Sequence, residues 1–408
     1  MGSFRNRHAR ALAATDIPLG GLGLINYSGL YYAKIRIGTP PQRYFVQVDT
    51  GSDIFWINCV SCYQCPRESD LGFNLTLYDP KESSTADWVQ CKNEFCQGTF
   101  VSDLVQYDQV TGNGQTQPTN TSIVFGCGYQ QGGSLNTSNG AIDGIVGFSK
   151  PNTTMLSQLA ATGKTKKIFA HCLDTTKGGG IFAIGDVVEP RVKTTPLADN
   201  DKYHYNVNLM SIVVGGTVLE LPADIFETSK TKGTIIDSGT TMAYLPEIVY
   251  NKIIPAIFAK HQDIKLRDHD DYFGQCFQFN DSVDFVFPNV TFHFKDDLAL
   301  NVYPYDYLLE IETNIYCVGF RNGSFEHEST KNLVILGDLV LSDKLVLYDL
   351  ENNVIGWTDK YNCSSSIKIK DEETGNIYSA AQAQLLLQQP FATTNESDGN
   401  YSRHNDPT

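Results

Sequence analysis

From Tyr31 to Ile37 apolar and polar residues alternate (Tyr31-Tyr32-Ala33-Lys34-Ile35-Arg36-Ile37), the period of a strand with one buried face. Gly38-Thr39-Pro40-Pro41 supplies the turn that ends it. A second run, Tyr44-Phe45-Val46-Gln47-Val48, leads directly into Asp49. Short segments of this kind, separated by turn residues, continue through most of the chain and predict a mostly β protein. Only Thr154–Thr162 and Ile248–Lys260 carry helical spacing. At the N-terminal end, residues 1–24 read as a leader or propeptide remnant: a basic cluster at Arg7–Arg10, then a flexible Pro-Leu-Gly-Gly-Leu-Gly stretch. At the other end, residues 364–408 are polar, with one apolar patch at Ala380–Leu387. That composition buries too little surface to offset its ordering entropy and predicts a disordered tail.

Within the β-rich body two stretches echo each other. Phe45-Val46-Gln47-Val48-Asp49-Thr50-Gly51-Ser52 is matched by Gly233-Thr234-Ile235-Ile236-Asp237-Ser238-Gly239-Thr240. Each is a strand, then Asp, a hydroxyl residue, Gly and a second hydroxyl residue. At nearly the same distance beyond each lies an apolar pair ending in glycine, Ile145-Val146-Gly147 and Ile335-Leu336-Gly337. The chain therefore reads as a duplication. The boundary is expected near Lys193–Lys202, giving an N-terminal β lobe over 25–195 with Asp49 and a C-terminal β lobe over 196–363 with Asp237.

The repeated residues carry a specific chemistry. Peptide hydrolysis without a metal or a nucleophilic side chain needs one group to deprotonate water and another to protonate the amide. Two carboxyls do both if they share a proton, because like charges a few ångströms apart do not both ionise cheaply. Gly51 and Gly239 let the backbone turn tightly and approach the carboxyls. Thr50 and Ser238 are placed to brace the two loops through hydroxyl–backbone hydrogen bonds. Ser52 and Thr240 can donate to the outer carboxylate oxygens, which favours the charged form. One Asp-x-Gly is ordinary turn chemistry; two in matched context are a catalytic signature.

Composition narrows the setting. The 408 residues carry a formal charge of −15 and a pI near 4.9, which argues against a nucleic-acid partner. Ten cysteines and eleven Asn-x-Ser/Thr sequons read as a disulfide-bonded glycoprotein of the secretory pathway, extracellular or vacuolar. The apolar stretch at Ala11–Ala14 is too short for a signal-peptide core, so the export signal is expected to be missing from this version of the chain. No run approaches the length of a membrane span. The spacing Cys59-x-x-Cys62-x-x-Cys65-Pro66 looks superficially like an iron–sulfur run, but Ser69 stands where the next cysteine is needed. Nor does any nearby Cys or His complete a zinc set. No metal or cofactor is expected. His171 and His204 read as ordinary hydrogen-bonding residues, and Asp143 and Asp338 as structural ones.

The chain resembles the plant-type pepsin-like aspartic proteases, in the branch described as aspartic proteinase-like or nucellin-like. The resemblance rests on Tyr32 through Trp56, the Cys59–Cys96 stretch, Phe125-Gly126-Cys127-Gly128 and Asp143-Gly144-Ile145-Val146-Gly147-Phe148. It continues through Phe169-Ala170-His171-Cys172-Leu173, Thr195-Pro196-Leu197, Thr234 to Pro246, Leu336-Gly337-Asp338 and Ile355-Gly356-Trp357. It implies a bilobal fold, two six-stranded-barrel-type lobes with a central cleft, one catalytic Asp from each, and a monomer acting on peptide or protein substrates in acid and blocked by pepstatin. It also implies the bridges Cys59–Cys62, Cys65–Cys127, Cys276–Cys317 and Cys172–Cys363, with Cys91 and Cys96 left over. Family members carry a hairpin flap with a Tyr, supported by the residue matching Trp56. No such segment is found between Gln97 and Gly98, where Cys96-Gln97 passes directly to Gly98-Thr99-Phe100. The expectation is an endopeptidase impaired by that absence; the alternative is a pseudo-protease that binds or inhibits.

Overall fold

The computed structural model describes residues 14–22, 29–89, 99–132, 140–199, 202–229, 231–269, 273–325, 330–371 and 374–380. In the first half, strand β1 (Leu30–Ile37) pairs antiparallel with β2 (Gln42–Asp49). Tyr31, Ala33, Ile35 and Ile37 turn inward, and Lys34 and Arg36 turn out, as the alternation demands. Strands β3 (Trp56–Tyr63), β4 (Asp87–Val89), β5 (Thr99–Gly112), β6 (Gln115–Gln130) and β7 (Gly144–Gly147) follow. β7 lies between β2, to which it is parallel, and β3, to which it is antiparallel; β3 is in turn parallel to β6.

The second half repeats this arrangement with β8 (Gly233–Ile236), β9 (Ala243–Leu245), β10 (Phe320–Asn322) and β11 (Leu333–Leu336). β11 is parallel to β8 and antiparallel to β9, and β9 is parallel to β10. The registers match as well. Gly147 stands opposite Asp49, and Ile236 opposite Leu336, so that Asp237 emerges beside Gly337. The apolar-apolar-Gly segments of the sequence are thus the middle strands of two equivalent four-strand units, each flanked by an Asp-bearing strand.

The first unit belongs to a thirteen-stranded sheet that is not confined to its own half. Late strands Val346–Asp349 and Val354–Trp357 join it against Ile168–Leu173 and Lys193–Pro196. The segment expected as the lobe boundary is therefore a paired edge strand. Tyr348 stacks on Phe169 at 4.4 Å between ring centroids, and Tyr205 meets both rings edge-on. These rings belong to one continuous apolar core that runs through both repeats.

Several expectations change here. Thr15–Leu22, read as leader, is a strand between Gly180–Ile184 and β1. Its Gly-rich look hides Ile17 and Leu19, which are buried. Ile367–Lys370 and Ile377–Ala380, read as tail, form a hairpin on Asp186–Glu189. Ile367, Ile369 and Ala380 bury themselves beside the Cys172–Cys363 bridge, which gives this segment the apolar contacts its composition lacks overall. Residues 381–408 lie outside the described residues, as do Cys91, Cys96 and the Gln97–Gly98 joint. The two longest helices among the described residues are Met155–Ala161, capped by the Thr154 hydroxyl, and Glu247–Ile257.

Two bridges also differ from the family-based pairing. Cys172–Cys363 and Cys276–Cys317 form as expected, but the others are Cys59–Cys127 and Cys62–Cys65. The parallel β3–β6 register sets Ile57 beside Cys127, so the buried Cys59 is the thiol within reach, with Cα atoms 5.5 Å apart. Cys62 and Cys65 then close a short turn around Gln64, whose φ of 59° folds the chain back.

Candidate active site

Each Asp stands where a strand gives way to a turn, and the turn's own groups hold its carboxyl. The Gly51 amide donates to Asp49 Oδ1 at 2.8 Å and the Ser52 hydroxyl to Oδ2 at 2.5 Å. In the second turn the Gly239 amide donates to Asp237 Oδ1 at 2.8 Å and the Thr240 hydroxyl to Oδ2 at 2.6 Å. The two carboxyls are half-buried and within hydrogen-bonding reach of each other. A Cβ on Gly51 would collide with the Asp237 carboxyl, and one on Gly239 with that of Asp49. Both glycines are therefore required by the approach itself.

Beneath the carboxyls the turns are interlocked. The Ser238 amide donates to Thr50 Oγ1 at 2.8 Å, and the Thr50 amide to Ser238 Oγ at 3.3 Å. Ser238 Oγ in turn donates to the Val48 carbonyl at 3.0 Å. Thr50 and Ser238 are buried, so each hydroxyl satisfies an amide that water does not reach. Thr50→Val keeps the side-chain shape but leaves the Ser238 amide unpaired. The expected cost is about 1–3 kcal/mol of stability, read as a lowered urea midpoint at unchanged m-value.

Electrostatics separates the site from ordinary turns. Burial first, and then the facing Asp49 charge, push the Asp237 carboxyl up to about 6, against the opposing help of Thr240 and Gly239. Asp338, buried next to the pair at the start of a short helix, is held well above the carboxylate range by burial and by the charges of Asp237 and Asp49. Its Oδ1 has no hydrogen-bond partner, as suits a carboxyl kept neutral. The composite result is a pocket of carboxyls that retains protons in mild acid.

Two further residues bear on the site without having stood out in sequence. Gln47 projects from β2 on the Asp49 side, and its amide donates to the Gly239 carbonyl at 3.3 Å. Tyr348, fully buried, hydrogen-bonds His171 Nε2 at 3.0 Å, and the charges of Asp237 and Asp338 help to hold its hydroxyl protonated. His171 is held neutral by burial, its pKa pushed down to about 3, so it can accept that bond. An alternating polar residue in a strand and one tyrosine among 21 give no signal by type or spacing. Trp56 stands in register with Ile145 on one side and Gly126 on the other, and Phe100 faces Gly126 from β5. Among the described residues no tyrosine ring packs on Trp56. Tyr78 is engaged with Asp103, Tyr107 with Thr121, and Tyr63 is exposed.

Two duplicated strand–Asp–hydroxyl–Gly turns face each other across a shared hydrogen-bond brace and set their two carboxyls within reach of one another. A model of the eukaryotic aspartyl protease family matches residues 30–360, and the chain belongs to that family. It is similar to Aspartic proteinase 39 of Arabidopsis thaliana, 47% identical across 93% of this chain and 84% of that protein. Aspartic proteinase 36 of the same plant is 48% identical across 93% of this chain and 83% of its own length. Among solved structures the crystal structure of edgp superposes with a TM-score of 0.68 at 18% identity, covering 88% of this chain and 96% of that one. Conglutin gamma from lupine seeds gives 0.67 at 15% identity, covering 86% and 96%. The chain is a plant-type aspartic endopeptidase, and its substrates are peptides or proteins.

Proposed function

We propose that Asp49 and Asp237 are the catalytic pair. They hold one proton between them; the ionised carboxyl takes a proton from water as it attacks the peptide carbonyl, and the protonated one gives its proton to the carbonyl oxygen. As the resulting diol collapses the C–N bond breaks, the proton taken from water passes to the leaving nitrogen, and a diol hydroxyl proton returns to the other carboxyl. No covalent intermediate, metal or cofactor enters the scheme. The observation that carries the reading is the near-symmetric cage around the two carboxyls. Each has an amide and a hydroxyl on its own turn, and each lies against the other. Residues 25–195 and 196–363 serve as the two lobes that bring them together, and the four bridges favour an oxidising secretory setting, extracellular or vacuolar.

The catalyst works without the family's usual lid. Trp56 keeps no tyrosine partner among the described residues, and the sequence holds no Tyr-Gly-Asp-Gly run between β4 and β5. Loss of a lid weakens water exclusion and substrate register, which lowers turnover. That observation also supports the second reading, a binding or inhibitory pseudo-protease. The deciding experiment offers a denatured protein to the oxidised chain near pH 4, with and without pepstatin. Pepstatin-sensitive cleavage is expected, at a reduced rate. Tight pepstatin binding with no cleavage would favour the pseudo-protease, and absence of both would remove the paired-carboxyl reading.

A further inference from the structure

The outer face of the β1–β2 hairpin holds a feature that hydrolysis does not use. Side chains two residues apart along β2 share one face, so Asp49, Gln47, Phe45 and Arg43 project on the same side. Six residues of extended strand set Arg43 about 20 Å from Asp49. On β1 the same face carries Tyr32, Lys34 and Arg36, and the register sets Tyr32 beside Gln47, Lys34 beside Phe45 and Arg36 directly opposite Arg43. Close to the catalytic turn this face is aromatic: Phe45 stacks on Phe73 at 3.9 Å and Tyr32 meets both rings edge-on. Beyond it lie three exposed cations.

Nothing among the described residues neutralises them. No carboxylate there pairs with Lys34, Arg36 or Arg43, and the strand on the far side sets Gln106 opposite Arg36. Like charges directly opposite on paired strands are destabilising. The Lys34 ammonium is held below its usual value by burial of its stem and by the two guanidinium groups. In a chain of net charge −15, three clustered cations without counter-charges are a local reversal of sign. Arginine forks present planar paired donors that fit carboxylates.

We propose that this face is a docking site for an acidic stretch of polypeptide, contiguous with the strand that delivers Asp49. Its use in cleavage rests on the catalytic reading above; the binding itself does not. A substrate with aspartate or glutamate several residues from the scissile bond would be held by Lys34, Arg36 and Arg43 while its apolar part crosses the Tyr32–Phe45 rings.

The test uses the full chain carrying Asp237→Asn, so that nothing is cut, and a fluorescent glutamate-rich peptide beside its glutamine counterpart. Near pH 6, where glutamate is ionised, the acidic peptide is expected to bind about tenfold more tightly, as three surface pairs allow. The preference should fade as salt rises. Replacing Lys34, Arg36 and Arg43 together with Gln should erase it, and Arg43→Gln alone should halve it or more. Equal binding of the two peptides, or a preference that survives the triple replacement, overturns the proposal. With the unmutated chain, an acidic extension on a cleavable peptide is expected to lower KM and leave kcat unchanged. Should that chain cut neither peptide, the catalytic reading fails while the peptide-binding comparison still decides the docking site.

Discussion

Asp237→Asn is expected to reduce cleavage at pH 4 by about a thousandfold or more, the scale of a lost general acid–base step. The amide occupies nearly the same space, so Thr240 and Gly239 keep an acceptor oxygen and the brace below is untouched. What disappears is the shared proton. Asp49→Asn should be as damaging, and the double replacement no worse than either, because the pair acts as one unit. On the proposed mechanism the active species of the unmutated chain is the singly protonated pair. With Asp237 held up to about 6, cleavage should persist from acid to that pH and fall as the pH rises through it. Single-turnover rates with a quenched fluorescent peptide measure both points. A variant that keeps a tenth of the activity would dismiss the pair as catalysts.

The second large effect concerns stability rather than rate. The Asp143 carboxyl is buried, accepting amides from Phe45 and Thr76 at 2.7 Å each, yet burial pushes it up to about 6. Asp306, buried against Lys344, is also raised to about 6 by burial, despite that neighbour's opposing charge. In the unfolded chain each releases its proton near 3.8. Between those values the folded state binds more protons than the unfolded one, so stability falls as pH rises. The contribution is whole below about 3.8 and gone above about 6. A carboxyl raised that far contributes roughly 2–3 kcal/mol, and Asp338 adds in the same direction. Calorimetric scans should give a Tm at pH 4 at least roughly 5 °C above that at pH 7.5. A Tm that climbs toward neutrality would contradict this account.

Much of this site was legible because the chain states it twice. A strand ending in Asp, a hydroxyl and Gly means little alone, but repetition with a matching Ile-Val-Gly or Ile-Leu-Gly downstream exposes both Asp-bearing turns and the strands beside them. What stayed hidden depends on register between distant segments. The Cys59–Cys127 bridge follows from how β3 lies against β6, and no spacing along the chain reports a parallel pairing across 68 residues. Gln47 and Tyr348 act through the same kind of long-range placement. The Ile367–Ala380 hairpin was missed for another reason. Its four-residue strands carry only Ile367, Ile369 and Ala380 as inward residues. Their burial depends on a surface formed by Ala14, Val110 and Val187, far away in sequence.

The placement of Val346–Trp357 in the first half's sheet sets a schedule for biosynthesis. Ile168–Leu173 is buried along its whole length, and one of its edges is covered only by Val346–Asp349. A nascent chain that has just exposed Ile-Phe-Ala-His-Cys-Leu must extend by well over a hundred residues before its partner strand leaves the ribosome. At usual translation speeds of about 5–20 residues per second, the delay is on the order of ten seconds or more. For that time an apolar strand edge stands open to other nascent chains, the arrangement most prone to intermolecular pairing. Cys172 waits longer still for Cys363, and under oxidising conditions is free to join the wrong thiol. Yield from any host should therefore depend less on the stability of the finished molecule than on holdase and isomerase supply during this interval.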